Sequence, residues 1–331
     1  MNKEQEMLLE KKLIKDYRNI AGITILKNEE LVYDNYFNDC NSSSKVHVYS
    51  VTKSIVSILI GIAIDKGYIQ NVNQKIIDFF PNYKIKKKEQ TLQKITLKDM
   101  LTMTAPYKYN FAPYAFIKYF MSNDWITFSL DLLGGKESIG FFKYAPLIGP
   151  DILSGILIHT TGQSVLEFAT EHLFSPLDIH IKANILLHSA KEQTKFNRSI
   201  TANGWVTDLA GVNAGGWGLT LSSMDMAKIG QLYLNKGLWN GKQIVSSQWI
   251  MDSLTEQSKW DKMNLSYGYL WWIIDNEKGC YAAMGDGGNI IYFNAQTQLV
   301  VAIASTFLQH TKDRLELIKN DIEPLFKDYK S

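Results

Sequence analysis

A serine and a lysine three residues apart, Ser50 and Lys53, stand at the start of the apolar segment "VYSVTKSIVSILIGIAI". A serine hydroxyl is a weak nucleophile until a neighbouring base removes its proton. A lysine amine can be that base only when it is neutral, which requires burial or a nearby cation to lower its pKa. The apolar residues would supply the burial, so the pair could perform nucleophilic catalysis. In the structural alternative, Ser50 caps a helix and Lys53 extends its amine to water.

The element that must position this pair is a helix, which the pattern predicts from Val51 to Lys66 with Gly67 ending it. It is apolar on nearly every face, so we expect it to be buried. A spacing of three places both side chains on one face, and the first turn directs backbone N–H groups toward the hydroxyl. A second Ser-x-x-Lys string, Ser42 with Lys45, lies in the polar stretch "NSSSK" and is expected to be a loop.

Other catalytic and binding chemistries have little support in the sequence. There is no Gly-x-Ser-x-Gly string, no phosphate-binding glycine loop, and no His or Cys spacing typical of a metal site. We therefore expect no metal and no organic cofactor. The histidines are predicted to be structural or surface residues: His47, His159, His172, His180, His188 and His310.

Composition narrows the class of protein. The net charge is +2 over 331 residues, and 3 arginines stand against 32 lysines, which is a poor supply of phosphate-binding groups. We expect no nucleic-acid partner, and we interpret the lysine cluster Lys84–Lys88 as a solvated loop. Cys40 and Cys280 are interpreted as free thiols. The longest apolar run, Ile55–Ile64, is too short to span a membrane, and the charged N-terminus lacks the apolar core of a signal peptide. A cytoplasmic location is therefore expected, whereas the oligomeric state is left open.

The order of elements predicts an α+β protein. Two strands are expected in "IAGITILKNEELVYDNYF", and from Ser266 onward β-rich runs indicate an antiparallel meander, followed by a helix over 311–327. Capping boxes at "TLKD", "SVLE" and Ser222–Asp225 begin helices between these ends. We predict an antiparallel sheet built from the terminal segments, flanked by helices, with a mostly helical inserted lobe. The expected domains are residues 1–70 with 225–331, and residues 71–224, with the active site in the cleft between them.

Several segments together resemble one superfamily. "VYSVTKSIVSILIGIAIDKGYI", "ITLKDMLTMTA", "GGWGLTLSSMDMAKIGQLYLNKGLWNGKQI" and "YGYLWW" resemble the β-lactamase-related serine hydrolases in order and spacing. That superfamily includes class C β-lactamases, D-alanyl-D-alanine carboxypeptidases, D-aminopeptidases, esterases and 6-aminohexanoate-dimer hydrolases. The resemblance runs from about Ile20 to Ala304. It implies a β-lactamase/transpeptidase-like fold, with Ser50 as nucleophile and Lys53 as its partner.

The resemblance also implies a catalytic tyrosine in the helical lobe. Literal Tyr-x-Asn strings such as those at Tyr33 and Tyr292 stand at the wrong places in the family order. Family order points instead to Tyr144 in "FFKYAPLIGPDILSG", where Pro146 replaces the usual asparagine and removes its side-chain contact. The alternative is Tyr109 or another tyrosine of "PYKYNFAPY" at 107–114.

The third family element is a Lys-Thr-Gly strand, which maps to "MGDGGN". Asp286, Gly287 and Gly288 then replace that triplet, and the backbone N–H of Asn289 would pair with that of Ser50 to form an oxyanion hole. A slip of one residue would assign this donor to Gly288. Asp286 would repel a substrate carboxylate, although the same residue types are also typical of a solvent-exposed turn.

These observations predict a serine hydrolase that acts through an acyl-enzyme on a small ester or amide and is not an efficient β-lactamase. Substrates with an amine, or uncharged esters, would suit Asp286. Whether Lys53 or Tyr144 is the acylation base stays open at this stage. The alternative is a catalytically weak, penicillin-binding-like sensor of peptidoglycan-like fragments. Aromatic residues that either line the pocket or belong to the core are Tyr107, Tyr109, Phe111, Tyr114, Trp217, Trp271 and Trp272.

Overall fold

The computed structural model describes residues 1, 3–86, 89–109 and 113–326. Within them, the two ends of the chain share an antiparallel sheet of eight strands in the order β2-β1-β14-β13-β12-β11-β10-β9. The strands of this sheet are β1 (Ile20–Lys27), β2 (Glu30–Tyr36), β9 (Ser258–Trp260), β10 (Leu265–Tyr267), β11 (Trp272–Asp275), β12 (Cys280–Gly285), β13 (Asn289–Asn294) and β14 (Leu299–Ser305).

The remaining strands form pairs outside this sheet: β3 (Val46–His47) with β6 (Thr220–Leu221), β4 (Ala183–Leu186) with β5 (Gly204–Thr207), and β7 (Leu238–Trp239) with β8 (Lys242–Gln243). The helices are α1 (Lys3–Asp16), α2 (Val51–Asp65), α3 (Leu97–Leu101), α4 (Pro113–Met121), α5 (Trp125–Leu132), α6 (Asp151–Thr161), α7 (Val165–Ala169), α8 (Ala190–Arg198), α9 (Ser223–Leu234), α10 (Ser247–Leu254) and α11 (Arg314–Leu317).

The sheet is covered on both faces, which explains why β1, β13 and β14 are buried along their whole length. One apolar cluster joins the sheet to α1 and α11 through residues such as Leu13 and Leu317. The other joins it to α2, α9 and the helices between the two ends of the chain. Helix α2 is therefore surrounded by protein, and its residues from Val51 to Ala63 are buried.

Most predicted elements are present, and the predicted fold class is confirmed. Helix α2 ends at Asp65, and Gly67 follows with a positive φ of 78°. Capping boxes begin α3, α7 and α9 as predicted. The meander is present, although "SYGYLWWIID" is divided between β10 and β11 by the residues 268–271.

Two elements differ in detail from the prediction. The final helical segment is present but begins at Arg314 and continues from α11 through a π-helical turn and a 3₁₀ turn to Phe326, while Lys327 lies outside the described residues. The middle of the chain also contains the parallel pair β4–β5. Apolar periodicity could not reveal this pair, because β4 is largely exposed and "ANIL" is too short to show alternation.

The division into domains 1–70 with 225–331 and 71–224 stays a prediction. Residues Lys84–Lys86 are in a loop, whereas Lys87, Lys88 and Phe111 lie outside the described residues. Both cysteines are free thiols. Within the described residues, no helix is both long enough and apolar enough to cross a bilayer.

Candidate active site

Ser50 lies at the amino-terminal end of α2, directly after a strained residue. Tyr49 has φ +49°, a conformation that residues with a side chain rarely adopt. The Ser50 side chain makes no capping hydrogen bond to α2. The structural alternative, in which Ser50 serves as a helix cap, is therefore wrong, and the hydroxyl group is directed elsewhere.

Lys53 lies beside that hydroxyl group in a buried position. Its Nζ is 2.9 Å from Ser50 Oγ, and its side chain does not extend to water, because only 1% of the residue is exposed. Burial lowers the pKa of Lys53 to about 7 from an ordinary value of 10.5, while Asp286 and Asp151 act in the opposite direction. At pH 7, about half of the molecules with this pKa would carry a neutral amine. At the ordinary pKa only roughly one molecule in three thousand would do so.

Two backbone carbonyl groups fix the orientation of the amine. Lys53 Nζ donates to Pro146 O at 2.8 Å and to Gly216 O at 2.9 Å. When Lys53 is charged, its third N–H group donates to Ser50 Oγ. When the amine is neutral, the two carbonyls accept its two N–H groups, and its lone pair is left toward Ser50 Oγ, which is the arrangement that a general base requires. Although Pro146 lacks a polar side chain, its carbonyl group is part of the site.

Tyr144 completes the cluster from the loop before α6. Lys53 Nζ lies 5.2 Å from the centre of its ring, and Trp272 packs against the ring at 5.8 Å. Burial raises the pKa of Tyr144 to about 12, and hydrogen bonding with Ser50 opposes that rise. The rival tyrosines are engaged elsewhere, since Tyr109 donates to Ile148 O and Tyr107 donates to a methionine sulfur.

The end of β12 forms the other wall of the site. A methyl group on Gly285 would lie 2.2 Å from Val48 O and 3.2 Å from Ser50 N, so only glycine lets the strand approach the nucleophile. Asp286, Gly287 and Gly288 make a tight turn in which both glycines have positive φ, a conformation that favours glycine.

Asn289 begins β13 opposite Gly285. Its buried side chain donates to Asp286 O and Ser305 O and accepts from Ser305 N, so it holds the turn together from inside. The proposed role of its backbone N–H as an oxyanion donor stays a prediction, as does the alternative assignment to Gly288. Sequence reasoning did not identify Gly285 as the residue that contacts the Ser50 backbone. The feature of the sequence that could have identified Gly285 is its position after a β-rich run and directly before "DGG".

A second missed feature is the segment "GGWG" at 215–218, which presents the Gly216 carbonyl to Lys53. Asp151 Oδ1 accepts from Gly215 N at 2.8 Å, and His47 Nε2 accepts from Gly218 N at 2.9 Å. Tyr119 accepts from the indole N–H of Trp217. Three buried polar groups therefore hold this segment, and its glycine content was the signal in the sequence.

Asp286 brings a negative charge to the rim of the site. It is exposed, and its carboxylate makes no hydrogen bond or ion pair with the described residues. Its negative charge nevertheless raises the pKa of Lys53, although this effect is smaller than the lowering caused by burial. The same charge adds to the rise that burial causes in the pKa values of Tyr144 and Tyr49. The electrostatic effect of Asp286 therefore extends to the groups around Ser50.

A cavity of about 340 Å³ adjoins this turn and is lined by residues 284–290, 307–309 and 311–315, which do not include Ser50, Lys53 or Tyr144. Lys312 pairs with Asp16 and Asp313 caps α11, whereas the buried guanidinium of Arg314 donates to the neutral side chain of Asn19. The described lining residues thus bring the positive charge of Arg314 and the unpaired carboxylate of Asp286 to the same turn. A larger cavity of about 870 Å³ lies away from Ser50, around residues 78–84 and 124–130.

The aromatic candidates divide between core and rim. Trp271 packs on Tyr233 in the core, and Trp272 contacts Tyr144. Trp217 is buried against α4 and α5, and Tyr114 is exposed. No group of three or more His, Cys, Asp or Glu in the described part of the chain is arranged to hold a metal ion.

A Ser-x-x-Lys pair at the start of a buried helix, a tyrosine from the loop before α6 and a glycine-rich strand edge are typical of a β-lactamase/transpeptidase-like protein. The Beta-lactamase family model matches residues 11–323, nearly the whole chain. The chain therefore belongs to the Beta-lactamase family.

Similar proteins show the range within this family. A 6-aminohexanoate-dimer hydrolase from Paenarthrobacter ureafaciens is 25% identical over 187 residues, which are 54% of this chain and 42% of that enzyme. The match thus spans less than half of that hydrolase. A structure from Bacillus anthracis, assigned as a 6-aminohexanoate-dimer hydrolase, has a TM-score of 0.74 at 21% identity and covers 96% of this chain and 81% of its own. The structure of a family VIII carboxylesterase has a TM-score of 0.71 at 15% identity, and the match covers 96% of this chain and 95% of that enzyme.

Proposed function

We propose that the protein is a serine hydrolase in which Ser50, activated by neutral Lys53, forms an acyl-enzyme with a small ester or amide. The observation that carries the proposal is the buried amine, held by two carbonyl groups and 2.9 Å from the Ser50 hydroxyl group. The relatives named as 6-aminohexanoate-dimer hydrolase and carboxylesterase support amides and esters as the substrate classes.

Lys53 is the base in acylation. With a pKa of about 7 it is available in neutral form near neutral pH, whereas the Tyr144 phenol, with a pKa of about 12, is almost entirely protonated. Ser50 Oγ attacks the carbonyl carbon and its proton passes to Lys53 Nζ. Tyr144 gives its proton to the leaving group and regains one from Lys53. Water then attacks the acyl-enzyme carbonyl, and Lys53 accepts the proton of the water. Lys53 returns this proton to Ser50 Oγ as the acyl group leaves.

The developing oxyanion requires two backbone donors. Ser50 N–H is one, and the second belongs to the segment that follows Gly285. Because Gly285 lies against Ser50 N, the N–H of Asp286 is a candidate beside those of Gly288 and Asn289. Each such donor contributes about 3 kcal/mol to stabilisation of the transition state.

The charge of Asp286 favours cationic or uncharged substrates over carboxylates. In the family pattern a lysine at this position would attract a carboxylate, whereas here the residue is an exposed aspartate whose negative charge raises the pKa of Lys53. An amine-bearing acyl or leaving group would gain an ion pair in this partly solvated position. The protein is therefore a poor β-lactamase.

The deciding experiment combines labelling with hydrolysis. A fluorophosphonate probe should label the wild type at Ser50, identified by peptide mass, and should leave Ser50→Ala unlabelled. Ser42→Ala is the matched control, because Ser42 belongs to the other Ser-x-x-Lys string and should label like the wild type. Labelling at another serine would overturn the proposal.

Turnover separates an enzyme from a binding protein. Neutral p-nitrophenyl esters and amino-acid anilides should be hydrolysed through many cycles, with Tyr144→Phe reducing kcat by about 10²-fold or more. A single stoichiometric burst without turnover would favour the sensor. Asp286→Lys should lower kcat/KM for anilides that carry an amine and raise the trace hydrolysis of nitrocefin. No change in either would show that Asp286 does not face the substrate.

A further inference from the structure

Asp151 is a buried carboxyl group that the proposed reaction does not use. It is the first residue of α6, it is 0% exposed, and the Tyr119 hydroxyl group lies close enough to lower the pKa of the carboxyl group by hydrogen bonding. Carboxyl groups are rarely retained in a protein interior, because burial disfavours their charged form. A residue in such a position calls for a specific reason.

Its other oxygen supplies that reason. Asp151 Oδ1 accepts the N–H of Gly215 at 2.8 Å, and the next residue, Gly216, accepts a hydrogen bond from Lys53 Nζ at 2.9 Å. Gly215 cannot carry a side chain, since a methyl group there would lie 2.2 Å from Pro150 O, and a methyl group on Gly216 would make a tight contact of 3.0 Å with Pro146 O. The two glycines have no side chains of their own to anchor them, so Asp151 holds Gly215 while Tyr119 and His47 hold Trp217 and Gly218.

We propose that Asp151 is a positioning residue that fixes the Gly215–Gly216 segment, so that the Gly216 carbonyl holds the Lys53 amine with its lone pair toward Ser50. This inference rests on the proposed role of Lys53 as the base. Asp151 touches neither substrate nor reacting atoms and acts through the backbone of its neighbour.

Its charge gives a second, separable effect. Burial raises the pKa of Asp151 to about 7, while the Gly215 N–H and other neighbours oppose the rise. In its ionised form Asp151 raises the pKa of Lys53. The titratable groups that face Asp151 from the surrounding elements are Lys53 of α2, Tyr119 of α4, Asp208 after β5, and Tyr107 and Tyr109 before α4.

Two substitutions separate position from charge. Asp151→Asn keeps an oxygen for Gly215 N–H but removes the charge, so kcat at the pH plateau should stay within about threefold while the acidic limb of kcat/KM moves to lower pH. Asp151→Val removes the acceptor at similar volume and should lower kcat about 10- to 100-fold with KM changed less than threefold, because the base is misplaced.

Glu89→Gln is the matched control. Glu89 is also buried and also accepts backbone N–H groups, but those belong to Leu92 and Gly135, not to the Lys53 cradle, and it is not among the groups that shift the pKa of Asp151 or Lys53. It should change neither kcat nor the acidic limb. Equal behaviour of Asp151→Asn, Asp151→Val and the wild type would overturn the inference.

A measurement without turnover keeps this test independent of the proposed function. In a Ser50→Ala background with ¹³C-labelled lysine, the Cε signal that disappears on Lys53→Gln reports the titration of Lys53. Asp151→Asn should lower that midpoint, and an unmoved midpoint would overturn the electrostatic part. If the signal moves as expected while the wild type neither labels nor hydrolyses, then the proposed function fails and the coupling of Asp151 to Lys53 stands. If Asp151→Val does not fold, the asparagine variant and this titration still decide the question.

Discussion

At the scale of residues, burial shifts the pKa values of two neighbouring groups in opposite directions from similar ordinary values. Lys53 and Tyr144 both adjoin Ser50, yet burial lowers the pKa of the amine to about 7 and raises that of the phenol to about 12. Burial always favours the uncharged form, which is the basic form of lysine and the acidic form of tyrosine. One dry site therefore provides a base and an acid near neutral pH.

The lowered pKa of Lys53 predicts how activity depends on pH. For a neutral ester, kcat/KM should rise with pH through an apparent pKa near 7, because protonated Lys53 cannot accept the proton of Ser50. Asp286 raises the pKa of Lys53, so Asp286→Asn should move this rise to lower pH. Rate profiles between pH 5 and 9 measure the shift.

Asp313→Asn is a suitable control for that shift. Asp313 lines the same cavity, and asparagine retains the capping hydrogen bonds of α11. Its profile should coincide with that of the wild type. A limb that stays in place or moves to higher pH in Asp286→Asn contradicts the argument.

At the scale of elements, the site depends on two close backbone approaches. Strand β12 reaches the start of α2 because Gly285 has no side chain, and the segment 215–218 reaches Lys53 because it consists mainly of glycine. Buried side chains from other elements then fix these approaches, as His47 of β3 does for Gly218. The precision of the site comes from contacts between elements, since no single element contains it.

Gly285→Ala should lower both the free energy of unfolding and kcat. The added methyl group meets backbone atoms of Val48 and Ser50, which cannot rotate away, so the strand must shift from the nucleophile. We expect a loss of about 1–3 kcal/mol in the free energy of unfolding and at least a tenfold loss in kcat. Urea denaturation and steady-state kinetics measure the two effects. Gly241→Asn, at an open turn with φ +77°, should alter neither.

His47 should make stability depend on pH. Its Nδ1 faces Asn197 and its Nε2 accepts from Gly218 N, while burial lowers its pKa to about 3 from 6.5. The unfolded chain therefore binds a proton between pH 6.5 and 3 that the folded chain does not. The stability that neutral His47 contributes is complete above pH 6.5 and is lost as the pH falls through this window. At pH 5 the loss in the free energy of unfolding is about 2 kcal/mol.

Urea denaturation at pH 7.5 and pH 5 tests this expectation. His47→Gln removes the titrating group, so its free energy of unfolding should fall about 2 kcal/mol less between the two pH values than that of the wild type. His180→Gln, at an exposed position, serves as the control and should follow the wild type. Parallel losses in His47→Gln and the wild type would contradict the assignment.

At the scale of the whole molecule, the two ends of the chain meet behind the active site. Asn19, just before β1, donates to Gly287 O in the turn after β12 and to Thr306 O after β14, and it accepts from Arg314 of α11. Residues almost 300 positions apart are thereby fixed around the turn that carries Asp286. Closure of the sheet by the amino-terminal strands thus supports the wall of the site.

Asn19→Ala should weaken both the fold and the site. The buried Gly287 carbonyl group, the half-buried Thr306 carbonyl group and the buried Arg314 guanidinium lose a partner, so we expect a loss of about 3 kcal/mol in the free energy of unfolding. The loosened turn should also raise KM severalfold. Asn71→Ala, an exposed turn residue that accepts from Asn73 N, should cost less than about 1 kcal/mol. Equal losses in the two variants, measured by urea denaturation, would contradict this role.

The sequence by itself determined the order of elements and the chemical core of the site. Period-two runs, capping boxes and the apolar helix after Ser50 are local patterns, so the helices and strands that they form could be predicted. The Ser50–Lys53 geometry also follows from local spacing, because three helical residues bring two side chains together whatever surrounds them. The family resemblance added Tyr144 and "DGG" from their order along the chain.

Only the tertiary structure decided how these groups are arranged and tuned. The carbonyls on Lys53, the contact of Gly285 with Ser50, and the anchors Asp151 and Asn19 join residues from distant parts of the sequence, so no local pattern encodes them. The pKa of a buried group depends on the polar atoms that the fold brings within a few ångströms. That dependence on long-range packing explains why the residue types of the site could be predicted and its supporting contacts could not.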